Sequence, residues 1–361
     1  MLSGIYFFAF ALFQLPLGVL LDRYGPRRVN ATLLLVAATG GLWFALARSP
    51  VELTLARAMI GLGVSGCLMS AFSAFALWYP AERLATMNGI AFASGMLGAI
   101  VVTVPLEVVL RVLHWREVFH VIVGLTVTAS LVLFIVVPEK ASARRAAPLP
   151  AQLREFASLA RDPAFWRMAL CIGSSQLAAV SLGTLWVATW LRDVAGYTQA
   201  EVARALFLFN VVMIAGYLGF GRASDRMTRH RRSTLPLLVG GVAVASVCLA
   251  LLAAGVRWGD LVLWSAFFGC TTSVVLSYSL FSRRYPKEMV GRVNSALNVA
   301  VFVGMFSGQW AVGLVLSLWP QTATGYAPEA YAWALGGLWL VQAAGLAWLW
   351  SGRRLFQNSS V

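Results

Sequence analysis

The sequence predicts an all-α polytopic membrane protein of two related helical bundles, and three observations carry that prediction. Of 361 residues, 60% are hydrophobic and 12% charged, more apolar than the core of a water-soluble chain of this size requires. Apolar runs long enough to cross a bilayer recur along the whole chain, and they are continuously apolar rather than alternating as outer-membrane strands would be. A Gly-x-x-x-Asp-Arg box occurs twice, from Gly18 to Arg28 and from Gly221 to Arg232, with its aspartates Asp22 and Asp225 203 positions apart.

Eleven spans are expected, in order. The run Leu2 to Leu21 leads straight into the first box and has no basic flank before it, so it belongs to the fold rather than to a cleaved signal. Ala31 to Ala47 is uncharged. Leu53 to Leu77 carries Arg57, and Met87 to Leu110 carries Glu107. Val118 to Val137 is again uncharged and ends the first half. The polar stretch from Pro138 to Pro163, with Lys140, Arg144, Arg145, Arg154 and Arg161, reads as a linker holding a short interfacial helix from Ala151 to Ala160. Six spans follow: Ala164 to Leu191, Val202 to Phe220, Leu235 to Ala254, Leu261 to Phe281, Val293 to Leu318 and Ala330 to Trp350. The expected domains are therefore 1–137 with five helices, a linker at 138–163, and 164–361 with six.

A second motif supports the duplication. Tyr79-Pro80-Ala81-Glu82, followed by Asn88, returns 206 positions later as Tyr285-Pro286-Lys287-Glu288, followed by Asn294. If the halves are true repeats, the first lacks its opening helix.

The net charge of +14 is topological rather than a nucleic-acid footprint. Among alternate loops, one face holds 20 Lys and Arg and the other five, Arg48, Arg111, Arg116, Arg192 and Arg257. By the positive-inside rule the box loops, the linker and the C-terminus are cytoplasmic. Cys67, Cys171, Cys248 and Cys270 all lie within apolar runs without pairing spacing, and the three histidines are scattered, so neither a disulfide, a metal site nor a cofactor is expected.

The box Gly-x-x-x-Asp-Arg-x-Gly-x-Arg-Arg, its degenerate second copy, the central linker and the Arg57-x-x-x-Gly61-x-Gly63 signature together resemble the major facilitator superfamily of secondary transporters over the whole chain. The resemblance implies a twelve-helix fold of which this chain carries eleven, beginning at the second. It also implies a gating role for the box: Gly18, Asp22, Arg23, Gly25, Arg27, Arg28 and Glu82, with Gly221, Asp225, Arg226 and Glu288 in the second copy. The physical reading agrees. Each aspartate stands where its helix leaves the membrane, so it can accept hydrogen bonds from unsatisfied N–H groups that open another helix. Asp22 is expected to face the start near Asn294 and Asp225 the start near Asn88, while Gly18 and Gly221 permit close approach.

Arg57 is the basic residue set well inside a run, and burial without a partner is costly. Glu107 reaches similar depth on the next helix, so either the two neutralise each other or Arg57 serves an anionic solute group. Gln176, Asn210 and Tyr278 are the further solute or coupling candidates, because the resemblance places their helices around the cavity. The four uncharged runs read as lipid-facing, and Trp186 and Trp190 as an aromatic belt. The family's Gly-Pro antiporter signature is absent, although Gly95, Gly98 and Pro105 are present.

The function expected is secondary transport of a small organic solute, with Arg57 pointing to an organic anion, coupled to H+ or Na+ by a monomer in a bacterial inner membrane. The alternative is a transport-incompetent or sensor-like protein on the same scaffold. An enzyme is disfavoured, since the outer loops are short and hold no acidic or histidine cluster.

Overall fold

A computed structural model describes residues 2–101, 109–110, 112–138, 158–286, 289–320 and 325–356. Glu107, Lys287, Glu288 and linker residues 139–157 lie outside the described residues, and with them most of the expected interfacial helix. The helices are α1 (Leu2–Tyr24), α2 (Pro26–Leu46), α3 (Pro50–Val64), α4 (Cys67–Trp78), α5 (Leu84–Val101), α6 (Trp115–Val136) and α7 (Pro163–Ser181). They continue with α8 (Val187–Asp193), α9 (Gln199–Arg229), α10 (Leu235–Ala253), α11 (Asp260–Thr271), α12 (Leu276–Arg284), α13 (Val290–Leu316) and α14 (Pro328–Ser351).

Local sequence chemistry explains the boundaries. Gly25 has φ 81° between α1 and α2, and Pro26 then opens α2 with its ring preset for the first helical turn. Ser49 caps α3 by accepting the Glu52 N–H. Capping boxes open α6 through His114 and Glu117 and α9 through Thr198 and Glu201.

Nine stretches among the described residues are long and apolar enough to cross a membrane. Three of them contain a helix irregularity: α3 and α4 meet at Ser65 and Gly66, α7 and α8 are joined by a π turn at Leu182–Trp186, and α11 and α12 by a 3-10 turn at Thr272–Val275. The other two expected runs are occupied by α1 and α5. The protein is a polytopic helical membrane protein.

Contacts divide the chain into two compact units. Unit 1 contains 1–80, 97–161 and 281–299; unit 2 contains 81–96, 162–280 and 300–361. Thus the first turns of α13 pack within unit 1, and the first turns of α5 within unit 2. In unit 1, α2 lies against both α3 and α6, and α1 against α3. In unit 2, α10 packs on α11 and α14, and α14 on α7.

One expectation about burial changes. Half of the apolar window is buried in α2 and in α10, each packed against two helices of its own unit, and the other half presents apolar side chains such as Leu35, Leu42, Val244 and Val247 outward. Only 11% of the α6 window is buried, as lipid-facing scaffolding should be. Trp186 and Trp190 form no belt. They are 8% and 3% exposed, and Trp190 stands edge-on to Trp264 at 5.4 Å in a core cluster that includes Phe267 and Phe268. Burial of that aromatic area outweighs any interfacial preference.

Candidate functional site

In unit 1 the first box closes on the opening turn of α13. The carboxylate of Asp22 accepts Arg292 Nε at 2.7 Å, with side chains 11% and 5% exposed, and also the backbone N–H groups of Gly291 and Arg292. One side chain therefore satisfies orphan donors of a helix start and neutralises a guanidinium there. Gly18, one turn earlier, makes this approach feasible: a Cβ on it would lie 2.8 Å from the Arg292 Cα.

Unit 2 repeats the arrangement. Asp225 Oδ1 accepts the Ala85 N–H at 3.1 Å and Oδ2 accepts the Thr86 N–H at 2.9 Å. A Cβ on Gly221 would lie 2.8 Å from the Ala85 carbonyl oxygen and 2.9 Å from the Thr86 Cα. Ala85 and Thr86 stand 206 positions before Gly291 and Arg292, the offset of the Tyr-Pro-x-Glu motif. The carboxylates meet their helix starts three residues or so before Asn294 and Asn88. Where unit 1 has Arg292, unit 2 has Thr86, so the residue that pairs with Asp22 is not repeated at the matching position.

Two turns deeper, about 12 Å along α1, the matching layers diverge. Gln14 is fully buried. Its Nε2 donates to the Ser65 carbonyl at 3.2 Å, at the α3–α4 junction, and its Oε1 accepts Asn298 Nδ2 at 3.1 Å. In unit 2 the repeat-related positions are Tyr217 and Phe92, whose rings stack at 4.9 Å and 12°. Tyr278 lies beside them, 6.2 Å from Phe92, and is only 2% exposed. Neither Phe92 nor Tyr217 stood out in the sequence, although the 206 and 203 offsets lead from Asn298 and Gln14 to both.

Arg57 sits on α3 with its guanidinium over the Phe44 ring at 4.8 Å. Phe44 is itself packed 4.6 Å from Phe119 and 5.8 Å from Trp115. The Arg57 Nε is buried without a hydrogen-bond partner among the described residues. Nearby carboxylates are committed elsewhere: Glu52 accepts Arg48 N–H and the Ser49 hydroxyl, and Glu117 accepts the His114 N–H. Arg116 donates to the Ala45 and Ala47 carbonyls.

The remaining candidates are scattered. Asn210 turns its amide back onto the Leu206 carbonyl of its own helix at 2.8 Å, and Gln176 is partly buried on α7. Arg23 lies over the Tyr24 ring and Arg27 over Phe134. Arg28 and Arg226 are exposed and Glu82 partly buried. Arg226 and Asp225 line a cleft of about 380 Å³ in unit 2 with Arg83, Arg222 and Arg229. The π turn presents Thr184, whose hydroxyl accepts Gln309 Nε2 at 2.7 Å, a pairing that required tertiary structure to find. Gly304 and Gly308 pack against α7 at Gly173 and at Leu177 and Ser181.

Outside the spans, burial and the hydrogen bond to Asp260 raise the Tyr197 pKa.

Comparison with known proteins places these features in a family. The model of the Major Facilitator Superfamily matches residues 1–309. Among curated proteins, the probable sulfoacetate transporter SauU of Cupriavidus necator is 28% identical over 33% of this chain and 29% of its own length. The nitrate/nitrite transporter NrtP of Picosynechococcus is 36% identical over 23% and 15%. The putative metabolite transport protein NicT of Pseudomonas putida is 20% identical over 68% and 62%. Each of these matches spans less than two thirds of the relative's length.

Among solved structures, a bacterial homologue of the iron transporter ferroportin has TM-score 0.71 at 17% identity, covering 97% of this chain and 88% of that one. The human organic anion transporter MFSD10 has TM-score 0.70 at 19% identity, covering 95% and 83%. The E. coli fucose:proton symporter FucP has TM-score 0.70 at 16% identity, covering 95% and 90%. These likenesses establish the fold. With the family model spanning most of the sequence, the chain belongs to the Major Facilitator Superfamily.

Proposed function

We propose that this chain is a secondary transporter that moves a small organic anion across a bacterial inner membrane by alternating access, as a monomer driven by a proton or sodium gradient. The observation that carries the reading is the repeated carboxylate contact: Asp22 on the Gly291 and Arg292 N–H groups and Asp225 on those of Ala85 and Thr86. Each contact ties a helix of one half of the chain, 1–137 or 164–361, to a helix start of the other, and it can form or break as a unit. Two such contacts act as latches that hold one access state and release in the other. Their Arg-rich ends and the C-terminus are cytoplasmic by the positive-inside rule.

Arg57 specifies the solute. Its Nε is buried and without a protein partner among the described residues, and the cost of that burial is offset when an anion arrives. Relatives named as sulfoacetate and nitrate/nitrite transporters support the anionic class.

The test is uptake of radiolabelled small carboxylates and sulfonates into proteoliposomes under imposed proton or sodium gradients. Accumulation that is competed by unlabelled anions and lost in Arg57→Ala is the expected result. Failure of every solute in the panel would favour a sensor-like role.

A further inference from the structure

Four arginines line one cleft of about 380 Å³ in unit 2. Arg222, Arg226 and Arg229 stand at i, i+4 and i+7 on the last turns of α9, hence on one face of it. Arg83 comes from a second wall, the 3-10 turn Ala81–Arg83 that leads into α5. Thr86 and Met87, in the first turn of α5, and Asp225 complete the lining. All four arginines are exposed and Asp225 is buried, so a solute that enters meets the guanidiniums first.

The charges around this cleft are unbalanced. Asp225 is the acidic residue of its described walls, and its two oxygens accept the Ala85 and Thr86 N–H groups. Among the described residues none of the four guanidiniums has a hydrogen bond, a carboxylate or an aromatic ring as its partner. The first copy of the box differs: Arg23 lies over Tyr24, Arg27 over Phe134, and Arg292 meets Asp22. Topology accounts for arginines at this level of the fold. It does not account for gathering four of them around a hollow, where like charges at neighbouring helical positions repel.

An anion in the cleft relieves that repulsion and takes charge-assisted hydrogen bonds from the guanidiniums. A single negative charge leaves most of the set uncompensated, so the ligand carries at least two. The donors come from two segments, and a tetrahedral phosphate turns oxygens toward both, whereas a carboxylate offers two oxygens in one plane. The volume is at the small end for ligand pockets, enough for a phosphate or pyrophosphate group with little besides. We propose that this cleft binds a phosphate ester carrying two or more negative charges. The bound ester joins the start of α5 to the end of α9, the same two segments that Asp225 links.

The probe is pyrophosphate, added to the full chain in detergent, with the melting midpoint as readout, because a ligand of the folded state raises it. The expected result is a saturable rise that neither sodium chloride nor citrate gives at the same ionic strength. In Arg222→Gln/Arg229→Gln the apparent Kd weakens by about tenfold or more, the effect of losing one charge-assisted hydrogen bond. No rise in wild type, or one that chloride or citrate matches, overturns the proposal even if the variant fails to fold. An affinity unchanged in the folded variant overturns it as well. Once binding is seen, nanodiscs separate the two sources of the same chemistry. Weaker pyrophosphate binding in discs containing phosphatidic acid than in discs containing phosphatidylglycerol supports the proposal with a lipid phosphomonoester as ligand; equal binding supports it with a soluble ester.

Discussion

Asp22 carries more than a topological charge. Its carboxylate joins α1 to a buried arginine and to two backbone donors at once, so replacing it removes several interactions from a water-poor place. Asp22→Asn keeps the shape and removes the charge that Arg292 meets; we expect a loss of about 3 kcal/mol, the low end for breaking a buried pair, read as a lowered melting midpoint in detergent. In a double-mutant cycle with Arg292→Gln, the two losses should fall short of additivity by at least about 1 kcal/mol. Arg57 makes a different kind of prediction. Arg57→Ala should raise KM for the transported anion by about tenfold or more, the effect of losing one charge-assisted hydrogen bond. Arg57→Lys should recover part of it, because the charge returns without the planar fork that stacks on Phe44.

At the scale of elements, a glycine matters where another backbone comes close and not where space is open, as Gly18 and Gly95 show. A side chain at Gly18 meets the Arg292 backbone, which can yield only by moving α13, so Gly18→Val should cost about 2 kcal/mol or more. Gly95 has nothing within 4 Å of its would-be Cβ, and Gly95→Ala should be neutral or stabilise by up to about 1 kcal/mol through helix propensity. Circular dichroism melts of the two variants check the contrast. These positions also show what is legible in a sequence. The Asp and Gly of each box were readable because they recur at an offset of 203, and the Tyr-Pro-x-Glu motif, repeated at 206, located the helix starts they touch. Arg292 was not assigned to Asp22, since nothing local distinguishes it from the other topogenic arginines. Tyr217 and Phe92 replace an amide pair with a stacked pair, so the repeat preserved a position and changed its chemistry. Trp186 and Trp190 misled because an aromatic near a helix end suits an interface or a core equally well, and only packing against Trp264 decides.

For the whole molecule, the duplicated latch is the central claim: two carboxylates, placed alike in the two halves, hold one access state of a transporter. Its most direct test is accessibility from the cytoplasmic side. Ser295 lies on α13 in the layer beside the first latch and is fully buried. In a background with Cys67, Cys171, Cys248 and Cys270 replaced, Ser295→Cys is exposed to a membrane-impermeant maleimide in inside-out vesicles, with Asp22 intact or changed to Asn. Opening of the latch by about 1.4 kcal/mol corresponds to tenfold in the population that reacts, so labelling should be slow with Asp22 and about tenfold faster or more with Asn. Equal labelling rates in the two would contradict the latch.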